Sequence, residues 1–150
     1  MSLNTCVFDA YGTLFDVNAA ARVAANEPNR RVFKEVWPSV SSLWRTKQLQ
    51  YTWLRSMTNS YVDFWSITKD SLEFALEAHK LLNDLSLKER LLALYWELEP
   101  YPEVFQMLKE LKKNGTKTAI LSNGSPEMLN GAVKSSNLYE VINEIISVET

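Results

Sequence analysis

Cysteine is nearly absent: Cys6 is the only one in 150 residues, so no disulfide can close within the chain and a reducing environment is expected. Cys6 lies in an apolar run and reads as small core filler. Histidine is equally scarce. His79 has no partner at metal-ligand or triad spacing and reads as a packing residue on an apolar helical stripe. Excess charge of one sign is also missing, with 16 Lys and Arg against 18 Asp and Glu for a net charge of −2. Neither nucleic acid nor an anionic membrane is therefore expected as a partner. No apolar run approaches the roughly 18 residues that span a bilayer. The N-terminus shows no basic region followed by an apolar stretch, and the expected compartment is the cytoplasm. Internal repeats are absent as well. What remains has the composition of a soluble globule, long enough for one ordinary domain burying about 70% of its unfolded surface.

The chain is organised around Cys6-Val7-Phe8-Asp9-Ala10-Tyr11-Gly12-Thr13-Leu14-Phe15-Asp16, where a short apolar run stops at a carboxylate and a glycine turn. Such a run suits a strand covered on both faces, delivering Asp9 at its carboxyl end, where ligands of open α/β sheets sit. The simpler alternative is an Asp that only caps the turn. From about Asn18 to Leu98 nearly everything reads as helix, an all-helical insert. One helix is expected from the Pro38-Ser39 pair to Met57, carrying Arg45 and Leu49 on one face. A second is expected from about Thr68 to Asn83, with Leu72, Ala75, Leu76 and His79 on its stripe. Ser86-Leu87-Lys88-Glu89 has the form of a capping box and opens a third, whose stripe is Leu87, Leu91, Leu94, Tyr95 and Leu98. The five tryptophans all fall between Trp37 and Trp96, as core or as the lining of an apolar pocket.

Pro102 suits the first position of the next helix, and Asn114-Gly115 ends it. Thr116 to Leu121 is a second β-rich run that stops at Ser122-Asn123-Gly124-Ser125-Pro126, a helix to about Ser136 follows, and Ile142 to Val148 reads as a third strand. Strand, helix, strand, helix, strand implies a parallel sheet with right-handed crossovers. Two parallel strands ending side by side bring Asp9 next to Ser122 and Asn123. That constellation can bind an anion beside a carboxylate acting as nucleophile, metal ligand or general base. Metal binding wants more acids, and beyond Asp9 and Asp16 no other carboxylate is expected at a strand end.

Phe8-Asp9-Ala10-Tyr11-Gly12-Thr13-Leu14 and Ile120-Leu121-Ser122-Asn123-Gly124 resemble the first two motifs of the haloacid dehalogenase superfamily. Together with Leu43-Trp44-Arg45-Thr46-Lys47-Gln48-Leu49 and Tyr51-Thr52-Trp53-Leu54-Arg55, they resemble the L-2-haloacid dehalogenases. The resemblance implies an α/β fold: a Rossmann-like parallel sheet core over 1–15 and 99–150, with an all-helical cap over 16–98 inserted after the first strand. It implies Asp9 as nucleophile on C2 of an L-2-haloalkanoate, with inversion, through an aspartyl ester that water hydrolyses to a D-2-hydroxyacid. Thr13, Ser122 and Asn123 match positions that hold the aspartate or the substrate carboxylate. Arg45 matches the arginine that receives the halide, with Leu49 and Phe64 as its apolar surround. Tyr11 stands where phosphatases of the superfamily carry a general acid, and a departing halide needs no proton. No metal or cofactor is implied, and relatives of this kind are commonly homodimers.

The sequence stops before the family's lysine motif and its last acidic motif, so the sheet is expected to be incomplete, with an unpaired edge on the first strand. The chain by itself is then expected to be inactive or nearly so. A magnesium-dependent phosphatase of the same superfamily and a noncatalytic binding remnant are the alternatives.

Overall fold

The computed structural model describes residues 4–149. Residues 1–3 and 150, which the expected core segments include, lie outside it. The chain divides into two compact units, one of Met1–Asp16 with Trp96–Thr150 and one of Val17–Tyr95.

The first unit holds β1 (Thr5–Phe8), α5 (Val104–Lys113), β2 (Lys117–Ser122), α6 (Pro126–Ser135), a 3-10 turn (Leu138–Glu140) and β3 (Glu144–Ser147). These three strands pair in parallel, in the order β1-β2-β3, with Phe8 opposite Ile120 and Ser122 opposite Ser147. Gly115, at φ +77°, closes α5 as the Asn114-Gly115 signal requires. Ser125 accepts the Met128 amide and Pro126 occupies the first turn of α6. Pro102 lies before α5 rather than inside it.

Among the described residues β1 is not covered on both faces. Side chains alternate along strands, and Thr118, Ile120 and Ser122 are buried on one face while Val7 (56% exposed), Leu121 (47%) and Ile146 (39%) are open on the other. The parallel order β1-β2-β3 fits a simple topological account. Two right-handed crossovers that step the same way along a sheet place both of their helices on the same face. Among the described residues β1 pairs only with β2, and Cys6 is half-buried rather than core.

The second unit holds α1 (Ala19–Ala25), α2 (Arg31–Met57), α3 (Phe64–Ala78) and α4 (Leu85–Trp96), the last ending one residue into the first unit. α2 begins well before Pro38, which lies inside the helix. Proline there removes one bond to the carbonyl four residues back, that of exposed Lys34, while buried Phe33, Val40 and Trp44 continue one stripe through it. α3 begins earlier than periodicity indicated, because Asp63 caps it: Oδ1 accepts the Ser66 amide at 2.8 Å. His79 is the C-cap of α3, with Nδ1 2.8 Å from the Ala75 carbonyl and Nε2 2.9 Å from Ser39 Oγ, so it bridges α3 and α2 by hydrogen bonds rather than by packing. At α4 the expected Ser86 box is replaced by Asp84, whose Oδ1 accepts the Leu87 amide at 2.9 Å and whose carboxylate pairs with Arg30. A carboxylate is the stronger acceptor for both donors. Ser86 instead accepts from Arg30 Nη2. Of the tryptophans Trp44 is buried, whereas Trp53 is 60% exposed. No helix among the described residues is long and apolar enough to cross a membrane.

Candidate active site

β1 stops at Phe8, so Asp9 emerges exposed from the carboxyl end of the strand. The chain then turns tightly around the Ala10 carbonyl, which accepts the Leu14 and Phe15 amides at 2.9 and 3.0 Å. Gly12 makes the turn possible by adopting φ +90°, and its amide donates to the Phe15 carbonyl at 2.9 Å. This geometry folds Thr13 back, and its Oγ1 donates to Asp9 Oδ2 at 3.2 Å. The hydroxyl selects one carboxylate oxygen and fixes the rotation of the group.

β2 delivers Ser122 alongside. The register of β1 on β2, carried one residue past Phe8 and Ile120, sets Asp9 level with Leu121. Ser122 is buried, and its Oγ accepts the Gly124 amide at 3.2 Å. Asn123 is exposed at the tip of this turn. The two turns touch through Tyr11, which is buried with its ring 6.3 Å from that of Phe15. A Cβ added to Gly124 would stand 2.7 Å from Tyr11 Cε2 and 3.1 Å from Leu129 Cδ2. Gly124 is thus required by close approach. Asp9, Tyr11, Thr13, Ser122 and Asn123 therefore gather at the carboxyl ends of β1 and β2. A carboxylate presented at a strand end, with one oxygen held by a hydroxyl, can act as nucleophile or general base.

Sequence reading missed two residues here. Ser147, opposite Ser122 on β3, donates to the Gly124 carbonyl at 2.7 Å and so braces the second turn; its register with Ser122 is the signal. Glu149 follows the end of β3, its amide donating to Ser147 Oγ at 3.0 Å. Among the described residues no group of three or more His, Cys, Asp or Glu side chains is placed to hold a metal ion.

The remaining expected residues belong to the helical unit. Arg45 and Leu49 are half-buried on α2, and Phe64 is buried at the start of α3. Arg45 Nη1 donates to Gln48 Oε1 at 2.8 Å. Gln48 is 1% exposed, and its Nε2 donates to Thr68 Oγ1 at 2.8 Å and to Tyr95 Oη at 3.1 Å. Trp44 adds an indole bond to the Thr68 carbonyl at 2.9 Å, and its ring lies 5.0 Å from that of Tyr95. Gln48 could have been suspected from its place one turn after Arg45. Thr68 and Tyr95 carry no local signal, because their partnership depends on how three helices pack.

A family model described as haloacid dehalogenase-like hydrolase matches residues 3–150. The chain is 46% identical over 147 residues to (S)-2-haloacid dehalogenase 1 of Pseudomonas sp. (strain CBS-3), covering 98% of this chain and 63% of that one. It is 43% identical over 148 residues to (S)-2-haloacid dehalogenase 4A of Burkholderia cepacia, covering 99% and 62%. The fold is similar to that of the L-2-haloacid dehalogenase from Xanthobacter autotrophicus solved with chloropropionic acid covalently bound, with a TM-score of 0.83, 38% identity, and coverage of 99% of this chain and 58% of that one. The chain thus spans less than two thirds of the length of these relatives.

Proposed function

Because the chain belongs to the haloacid dehalogenase-like hydrolase family, we propose that it carries the nucleophile, the carboxylate-binding turn and the halide-receiving arginine of an L-2-haloacid dehalogenase. An Asp9 carboxylate oxygen attacks C2 of the haloacid, the carbon–halogen bond breaks with its electron pair leaving on the halide, and C2 inverts. Asp9 is then an ester of the 2-hydroxyacid. Water adds at the Asp9 carboxyl carbon, the alcohol departs as the D-2-hydroxyacid, one proton is released, and the aspartate is restored with one oxygen from water.

The bond from Thr13 leaves Asp9 one oxygen held and one for attack. Ser122 and Asn123 bind the substrate carboxylate. Arg45 stabilises charge developing on the halogen, with Leu49 and Phe64 keeping its surroundings apolar; a guanidinium out of water does this far better than a solvated one. The reading treats the unit Val17–Tyr95 as the cap and the sheet unit as the catalytic core. It includes a homodimer in the cytoplasm.

The observation that carries the reading is Tyr11, buried against Gly124 and two residues after Asp9, where by resemblance phosphatases of the superfamily carry their general acid. A phenol ring packed there leaves no carboxylic acid for an alkoxide, and halide departure needs none. The test uses the natural polypeptide that contains these residues, with L-2-chloropropionate in oxygen-18 water. The first turnover should place label in Asp9 and not in the product, and Asp9→Asn should lower chloride release by about a thousandfold or more. Label appearing only in the product on that turnover would refute the nucleophile.

A further inference from the structure

We propose that Gln48 is a positioning residue that aims the Arg45 guanidinium at the departing halide, through a hydrogen-bond chain of fixed polarity that ends on the Phe64 carbonyl; this rests on the assignment of Arg45 as halide acceptor. The polarity follows from the two ends. The Phe64 carbonyl can only accept, so it takes the Thr68 hydroxyl proton at 2.8 Å. Thr68 Oγ1, its proton committed, accepts from Gln48 Nε2 at 2.8 Å. The amide nitrogen of Gln48 therefore faces Thr68, and its carbonyl oxygen faces Arg45 Nη1, also at 2.8 Å. At that end the guanidinium can only donate. A flipped Gln48 amide would set N–H against N–H, so a single orientation survives.

The chain is also sealed. Gln48 is 1% exposed, Thr68 0% and Tyr95 2%. Tyr95 Oη lies 3.1 Å from Nε2 and 3.3 Å from Oε1 of Gln48, holding the amide from its side. The small cavity lined by Val17, Ser41, Trp44, Arg45, Gln48 and Tyr95 has no room for a water molecule, so the Gln48 amide meets Arg45 directly and not through solvent. Residue choice fits the task as well. A neutral amide oxygen orients a guanidinium without cancelling its charge, whereas a carboxylate would neutralise the group that must attract halide.

The experiment compares L-2-chloropropionate with L-2-bromopropionate in the natural polypeptide. Gln48→Met keeps length and volume and removes the side-chain bonds to Arg45, Thr68 and Tyr95. Its kcat on the chloro substrate should fall about tenfold and on the bromo substrate about threefold, the size of one bond to a charged group. The poorer leaving group leans harder on Arg45, so the bromo-to-chloro ratio rises, and inhibition by bromide ion weakens. Thr68→Val, isosteric and remote from the guanidinium, should shift the ratio the same way by less. Gln48→Glu should weaken bromide inhibition further than Gln48→Met does. A purely structural role lowers thermal stability and both rates together. An unchanged ratio and unchanged bromide inhibition in Gln48→Met and Thr68→Val overturn the proposal, with Thr68→Val decisive if Gln48→Met does not fold. Arg45→Gln separates the two levels: a parental ratio there removes the halide assignment and this inference together, while a shift confined to Arg45→Gln removes the inference alone.

Discussion

The two units hold their functional groups by different means. In the sheet unit the backbone does it: Asp9 is set by the parallel ladder and by amides converging on one carbonyl, and Ser122 by its register with Ser147. One side-chain bond, from Thr13, completes the carboxylate's placement. In the helical unit a helix face supplies only direction, and the rest comes from side chains. Arg45 is held by Gln48, whose own partners lie 20 and 47 residues away in the chain. A strand end is a rigid mount. A helix face is a mount only as good as the packing behind it.

That contrast can be broken most sharply at Leu72. It is fully buried in α3, so Leu72→Ala should cost the helical unit about 3 kcal/mol through lost transfer energy and the cavity left behind. Hydrogen exchange should show protection falling across α2 and α3 while β1 and β2 amides keep theirs. Equal loss in both units would mean that the chain unfolds as one body and that the distinction has no energetic content. A smaller effect is expected in the sheet unit from Gly124→Ala. The new Cβ meets the Tyr11 ring at 2.7 Å, and relieving that contact should cost about 1–3 kcal/mol and displace the turn that carries Asp9. Thermal denaturation together with chloride release checks it. Unchanged stability and turnover would show that the two turns are sterically independent.

The same contrast explains what could be read from sequence. Asp9, Gly12, Asn114-Gly115 and Ser125-Pro126 were legible because each acts within a few residues of itself, through a turn, a cap or a strand end. The Gln48, Thr68 and Tyr95 set was not, since no local pattern links α2, α3 and α4 at those positions. Pro38 misled for a related reason. A proline is a good marker of a helix start only when packing does not continue through it, and here Phe33, Val40 and Trp44 do continue. The open face of β1 was hidden too, because an apolar run states what a strand could cover but not how many helices arrive to cover it.

The smallest expected effect lies at the helix cap that periodicity overlooked. The Ser66 hydroxyl donating to Asp63, joined by the Ser66 amide, holds the Asp63 carboxyl below its ordinary value, against a desolvation that raises it. A pKa depressed in the folded state means that the folded chain favours the ionised form more than the unfolded chain does. The cap's contribution is therefore whole above about pH 4, the ordinary aspartate value, and is lost as pH falls through the lower folded one. Asp63 is exposed, so solvent screens the electrostatic part and most of the effect is the hydrogen bonding itself. Asp63→Ala should cost about 1 kcal/mol near neutral pH, and parent and variant should converge in stability as the medium becomes strongly acid. Chemical denaturation at a series of pH values measures this. A gap that stays constant down to acid pH would show that Asp63 acts through backbone shape and not through its carboxylate, placing α3 under the same kind of backbone control as the sheet.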